Sequence, residues 1–132
     1  MARVISLRGL DEAGRRIAGI APSTFVQSMV WDNSTGAGAA FTSNTSAIGA
    51  TTFIVNLITA TTLANQTIRY ESTLSTAELN GLNVGRISLH FGATAAVTSA
   101  STTFYAGVDQ QTFQKTTEFA LISRLEIQQR TT

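Results

Sequence analysis

Cysteine is absent from this 132-residue chain, which excludes disulfides and thiolate metal sites. Stability must come from packing and backbone pairing alone, or from partner subunits. Charge is scarce as well: charged residues are 13% of the chain and the net charge is +1, about half the usual charged share. Basic residues adjoin only at Arg15-Arg16, so the electrostatic footprint of a nucleic-acid binder is missing. Proline occurs once, at Pro22, and histidine once, at His90. No stretch approaches the roughly 18 apolar residues that cross a bilayer. The opening MARVISLRGLDEAGRR sets acids and arginines ahead of any long apolar run, unlike a secretory signal. Neither nucleic acid nor membrane is expected as a partner, and no cofactor is expected.

Hydrophobic residues make up 43% of the chain, enough for one core in a chain of single-domain length. The surface then falls to Ser, Thr, Asn, Gln and small residues. Weak charge repulsion between copies suits a protein that packs against other protein.

The stretch around which the chain is organised is 79–91, LNGLNVGRISLHF. Asn80-Gly81 tolerates positive φ and marks a turn. Beyond it Arg86, Ser88 and His90 alternate with Ile87, Leu89 and Phe91, the period of a strand with one face in the core and one in solvent.

Residues 1–20 are expected to form an N-terminal arm or edge element, with RVISL extended and DEAGRR making one helical turn that Gly14 keeps short. Residues 21–132 then form a single domain. TFVQSMVW (24–31) reads as a strand with Phe25, Met29 and Trp31 on one parity. The small-residue segment 32–51 reads as a surface loop or a weak strand around Phe41, open to contact with a neighbouring subunit. TFIVNLIT (52–59) is the most apolar run and is expected to be a central strand buried on both faces. LANQ is a turn, and TIRYESTL (67–74) is a strand with Ile68, Tyr70 and Leu74 inward. Ser75 or Thr76 can cap a helical turn before Asn80.

After a polar tip at 92–101, a strand is expected at 102–108, then a connection at 109–115 with Phe113 turned to the core. Over 116–129, Phe119, Leu121, Leu125 and Ile127 share one parity, and Glu118, Arg124, Glu126 and Gln128 the other; that and the Thr-rich start favour a strand over a helix. Six to eight strands with frequent turn signals point to an all-β fold, an antiparallel β-sandwich of jelly-roll-like or Ig-like type.

No motif names a reaction. A Ser-His-Asp triad or a histidine metal site would have to use His90, whose parity assigns it to the solvent face. The eight carboxylates are scattered, and Gly36-x-Gly38 lacks the helix and lysine of a phosphate cradle. Three N-x-S/T patterns, at Asn33, Asn44 and Asn65, arise easily in so Ser/Thr-rich a chain. Trp31, Tyr70 and Tyr105 offer material for a carbohydrate groove, though packing is the commoner use of such side chains. No catalytic, cofactor-binding or metal residue is assigned.

Over 69–91 and 103–127 the order is strand IRYESTLS, turn AELNG, strand LNVGRISLHF, a polar tip, TTFYAGV and QTFQKTTEFALISRLEIQ. With Asn80-Gly81, Ile87-x-Leu89 and Phe113-Gln114-Lys115-Thr116, this resembles the small β-sandwich structural proteins of tailed bacteriophages, found as tail-fibre, collar or decoration components. The resemblance implies a non-enzymatic virion protein present in many copies and assembled in the host cytoplasm. Its expected partners are copies of itself, as a trimer or larger ring, and other virion proteins on tail, baseplate or capsid. Candidate interface residues are Arg3, Val4, Ile5 and Leu7 in the arm, with Trp31 and Phe41. The alternative is a carbohydrate- or receptor-binding module.

Overall fold

The computed structural model of the chain describes residues 3–17, 19, 25–34, 40–50 and 52–128. The expected break at Pro22-Ser23, the Gly36-x-Gly38 pair and Gln129 lie outside the described residues. Eight strands, one α-helix and a short 3-10 turn (Thr94–Ala96) are present among the described residues: β1 (Arg3–Ile5), α1 (Leu7–Ile17), β2 (Val26–Asp32), β3 (Phe53–Leu57), β4 (Thr59–Leu63), β5 (Thr67–Leu74), β6 (Asn83–Phe91), β7 (Phe104–Gln114) and β8 (Leu121–Gln128). They form a five-stranded sheet ordered β1-β7-β6-β2-β3 and a three-stranded sheet ordered β4-β5-β8, with antiparallel pairing throughout. The fold is the expected antiparallel sandwich.

Between the sheets lies the main core. Met29 and Trp31 from β2, Val84, Ile87 and Leu89 from β6, and Tyr70 and Leu74 from β5 meet there. Trp31 is fully buried, and its indole Nε1 donates to Ser123 Oγ on β8 at 3.0 Å, joining the two sheets by a polar contact inside the apolar layer. A buried indole N–H left without an acceptor would carry a desolvation cost, so Ser123 among aliphatic residues has a physical reason.

The apolar run at 52–59 is not one central strand. It breaks at Ile58, where β3, an edge of the larger sheet, hands the chain to β4, an edge of the smaller. The corner is held by Ile58 N–H donating to the Gln27 carbonyl at 3.1 Å and Ser72 Oγ donating to the Leu57 carbonyl at 2.6 Å. Apolar residues continue through the corner because each sheet takes its share of them. β3 is half-buried rather than enclosed.

β7 also differs from expectation, running as one strand through 109–114 beside β6 with two register irregularities. One of these lies near Leu89 and His90, which pair with Ala106 and Phe104 and leave Tyr105 between them outside the register. The segment at 121–128 is a strand, with Ser123 buried and Arg124, Glu126 and Gln128 exposed.

The N-terminal segment joins the larger sheet. β1 pairs with β7 as its edge, and α1 is three turns long instead of one. Ser6 caps it: its Oγ accepts from Gly9 N–H at 3.0 Å and donates to the Phe104 carbonyl at 3.1 Å. Gly9 is required by proximity, since a Cβ there would lie 2.5 Å from the Tyr105 ring. Arg8 donates to the Thr102 carbonyl and stands 5.1 Å over the Phe91 ring. Docking on β7 therefore offsets the poor helix propensity of Gly9 and Gly14.

The two turn motifs of the second half meet in space. Gly81 has φ +77°, and its N–H donates to the Lys115 carbonyl at 2.8 Å. Lys115, the only lysine, is fully buried. Its Nζ donates to Asn80 Oδ1 at 3.0 Å and the Thr116 carbonyl at 2.8 Å, and stands 5.3 Å from the Phe119 ring centre. Asn80→Ala should therefore cost about 1.5–3 kcal/mol, the range for a lost hydrogen bond to a charged group. An ordinary exposed turn position stays within about 0.5 kcal/mol; the shift in urea midpoint distinguishes the two.

Candidate functional site

β6 is the central strand, and it is buried on both faces from Val84 to Phe91. Alternation placed Arg86, Ser88 and His90 in solvent; the structure covers them instead. Residues 40–50 and 92–103 fold over this side of the sheet, and Ile48, Ala50 and Val97 form a second small core with Val30. The polar side chains stay buried because they find partners within the protein.

Arg86 lies opposite Asp32 across the β2–β6 ladder. Its Nε is 3.0 Å and 3.1 Å from the two carboxylate oxygens, and its Nη2 donates to the Ile48 carbonyl at 2.6 Å. The guanidinium lies 4.5 Å over the Phe41 ring. On the other flank Asp109 of β7 is in register with Arg86, and its carboxylate accepts from Phe41 N–H at 3.2 Å. Phe41 in turn rests on Phe104, with ring centres 4.7 Å apart. This close approach needs Gly107, where a Cβ would fall 2.5 Å from the Phe41 ring.

His90 is wholly enclosed. One ring nitrogen, Nε2, is 2.9 Å from Ser88 Oγ and the other, Nδ1, is 2.9 Å from Thr103 Oγ1; hydroxyls can serve a neutral ring as donor or acceptor on either side. Burial, and secondarily the charge of Arg86, lower its pKa from 6.5 to about 3. The imidazole is therefore neutral at physiological pH. Ser88 and His90 together resemble part of a catalytic triad, but the ring's two nitrogens are both engaged by hydroxyls and both side chains are buried. Among the described residues no group of three or more His, Asp or Glu side chains is arranged to hold a metal ion.

One edge of the sandwich is open. Where β1 and β8 end their respective sheets, a groove of about 480 Å³ runs between them. Val4, Ile5, Leu89, Ala106, Leu125 and Ile127 supply apolar lining, with Arg124, Glu126 and Gln128 alongside. Arg124 pairs with Glu71, and Glu126 with Arg69 at 2.9 Å, both across the β5–β8 ladder.

The residues expected at an interface divide accordingly. Val4 and Ile5 line the groove, Arg3 lies in the same strand, and Leu7 begins α1 with 57% of its surface exposed. Trp31 and Phe41 do not reach the surface. The smaller sheet covers Trp31, while Phe41 turns inward onto Arg86 and Phe104. Of the three aromatics suggested for a carbohydrate groove, Trp31 and Tyr70 are buried, and Tyr105 is half-buried and meets Tyr70 and Phe91 edge-on. Sequence reasoning missed the Asp32–Arg86 pair, whose members lie 54 residues apart with no local pattern to link them.

Breaking the buried ion pair from one side, with Asp32→Ala or Arg86→Ala, should cost about 3–5 kcal/mol. Replacing both members by apolar residues, as in Asp32→Leu with Arg86→Met, should recover much of that loss in urea denaturation. His90 adds a pH dependence of definite sign. Its folded pKa is the lower one, so between about pH 6.5 and about pH 3 the unfolded chain binds a proton that the folded chain refuses. Stability falls with decreasing pH across that window, by up to roughly 1.4 kcal/mol per pH unit. His90→Gln should flatten this slope relative to the parent chain. Comparisons with protein-family models, curated proteins and solved structures return no match to this chain.

Proposed function

We propose that this chain is a non-enzymatic structural protein of a bacteriophage virion, which self-associates and docks on the tail, baseplate or capsid. The observation that carries the reading is the asymmetry of the sandwich. Side chains with chemical potential, His90, Ser88, Arg86 and Asp32, are sealed inside and partnered with one another. Among the described residues an apolar groove is accessible instead, flanked by the outer edges of β1 and β8. Strand edges are templates for another chain, with backbone hydrogen bonds supplying affinity and adjacent pockets supplying specificity. The low charge of the whole chain opposes such contacts weakly.

The phage assignment draws on the resemblance of 69–91 and 103–127 to small tail and decoration proteins. Two motifs of that resemblance, Asn80-Gly81 and Lys115-Thr116, are in direct contact. Self-association and virion membership have separate tests. Light scattering should give a mass above that of one chain, and quantitative mass spectrometry of purified particles should find the protein at many copies per particle. A monomer at every concentration, or particles that lack the protein, would overturn the respective half of the reading.

A further inference from the structure

The described strand edges are not equivalent. β1 is three residues long, and neither β3 nor β4 carries a charged residue that could set a register. β8 is bonded to β5 alone among the described strands, and its outward face carries Arg124 and Glu126 on either side of Leu125. Charged side chains on an edge ordinarily oppose pairing. In β8 each is already matched by its β5 neighbour, Arg124 with Glu71 and Glu126 with Arg69.

We propose that β8 is the self-association surface, where two copies of the chain join edge to edge, antiparallel, about a two-fold axis at Leu125; this rests on the reading of the protein as self-associating. Centred there, Arg124 faces Glu126 of the second copy and Glu126 faces its Arg124. Each β5–β8 ion pair then extends into a row of four. Glu71 and Arg124 of one copy continue into Glu126 and Arg69 of the other, alternating in sign at every step. Leu125 meets its own equivalent on the inner face, beside the groove that Leu125 and Ile127 line.

The charges also select the register. Moving the axis to Arg124 or to Glu126 sets identical charges directly opposite one another, which is destabilising. A slip of a single residue instead turns one copy's apolar side chains to the wrong face. The result is one continuous sheet of six strands and an isologous contact, in which the same patch serves both copies. Larger assemblies built on this contact hold an even number of chains.

Because the chain contains no cysteine, introduced thiols report the register directly. At this axis Ile122 lies opposite Gln128 of the second copy, and both are exposed, so replacing either leaves the core intact. Mixing the full-length Ile122→Cys and Gln128→Cys proteins under mild oxidation should give a disulfide-linked dimer, while neither alone should. Directly paired antiparallel residues stand close enough for a disulfide. Light scattering on the parent chain provides the second readout. An oligomer with an even number of chains, together with cross-linking in the mixture, supports the proposal. An oligomer whose mixed variants do not cross-link beyond each variant alone, or a trimer as the sole assembly, overturns the β8 contact and leaves self-association standing. A monomer at all concentrations overturns both.

Discussion

The buried pair of Asp32 and Arg86 is the interaction on which the second layer of the molecule depends. A β-sandwich needs only one apolar face per sheet, and the larger sheet already has one against β4, β5 and β8. Its other face carries Arg86, Ser88 and His90, which would ordinarily be left to water. Once Asp32 accepts the guanidinium, Arg86 still offers a donor to the Ile48 carbonyl and a cationic surface to Phe41. Those contacts draw residues 40–50 down over the sheet, and Ile48, Ala50 and Val97 close a small core around Val30. Charge burial on this scale stabilises only if every partner is present, which makes the covering loops and the sheet interdependent.

Much of the architecture was legible because a strand has a period of two and the residues respect it. β5 and β6 occupy the expected stretches, whereas β8 begins at Leu121 rather than at 116 and leaves Phe119 exposed ahead of it; the parity of Ile68, Tyr70, Leu125 and Ile127 was correctly assigned inward. Alternation separates the two sides of a strand but does not say what covers each. Polar side chains at Arg86, Ser88 and His90 look the same in sequence whether they meet water or one another. Their partners, Asp32, Ile48 and Thr103, are distant in the chain or offer only a backbone atom, so no local pattern marks them. Trp31 and Phe41 were similarly ambiguous, since an aromatic residue serves an interface and an interior equally well.

The remaining differences have specific physical causes. Ile58 lies in an unbroken apolar run, and only hydrogen bonds from distant residues reveal that the chain changes sheets there. Polar residues at 109–112 suggested a connection, whereas the long ladder with β6 carries β7 through them. Gly9 weakens a helix in isolation but permits α1 to lie against Tyr105. In each case tertiary contact overrides local preference.

The indole bond between Trp31 and Ser123 has an optical consequence. The sole tryptophan of the chain stands where the two sheets meet, shielded from solvent and tied to one particular hydroxyl. Its fluorescence therefore reports on whether the layers remain face to face: separation would hydrate the ring and move the emission to longer wavelength, while fraying of the covering loops alone would leave the spectrum nearly still. The molecule carries its own gauge of which half loosens first.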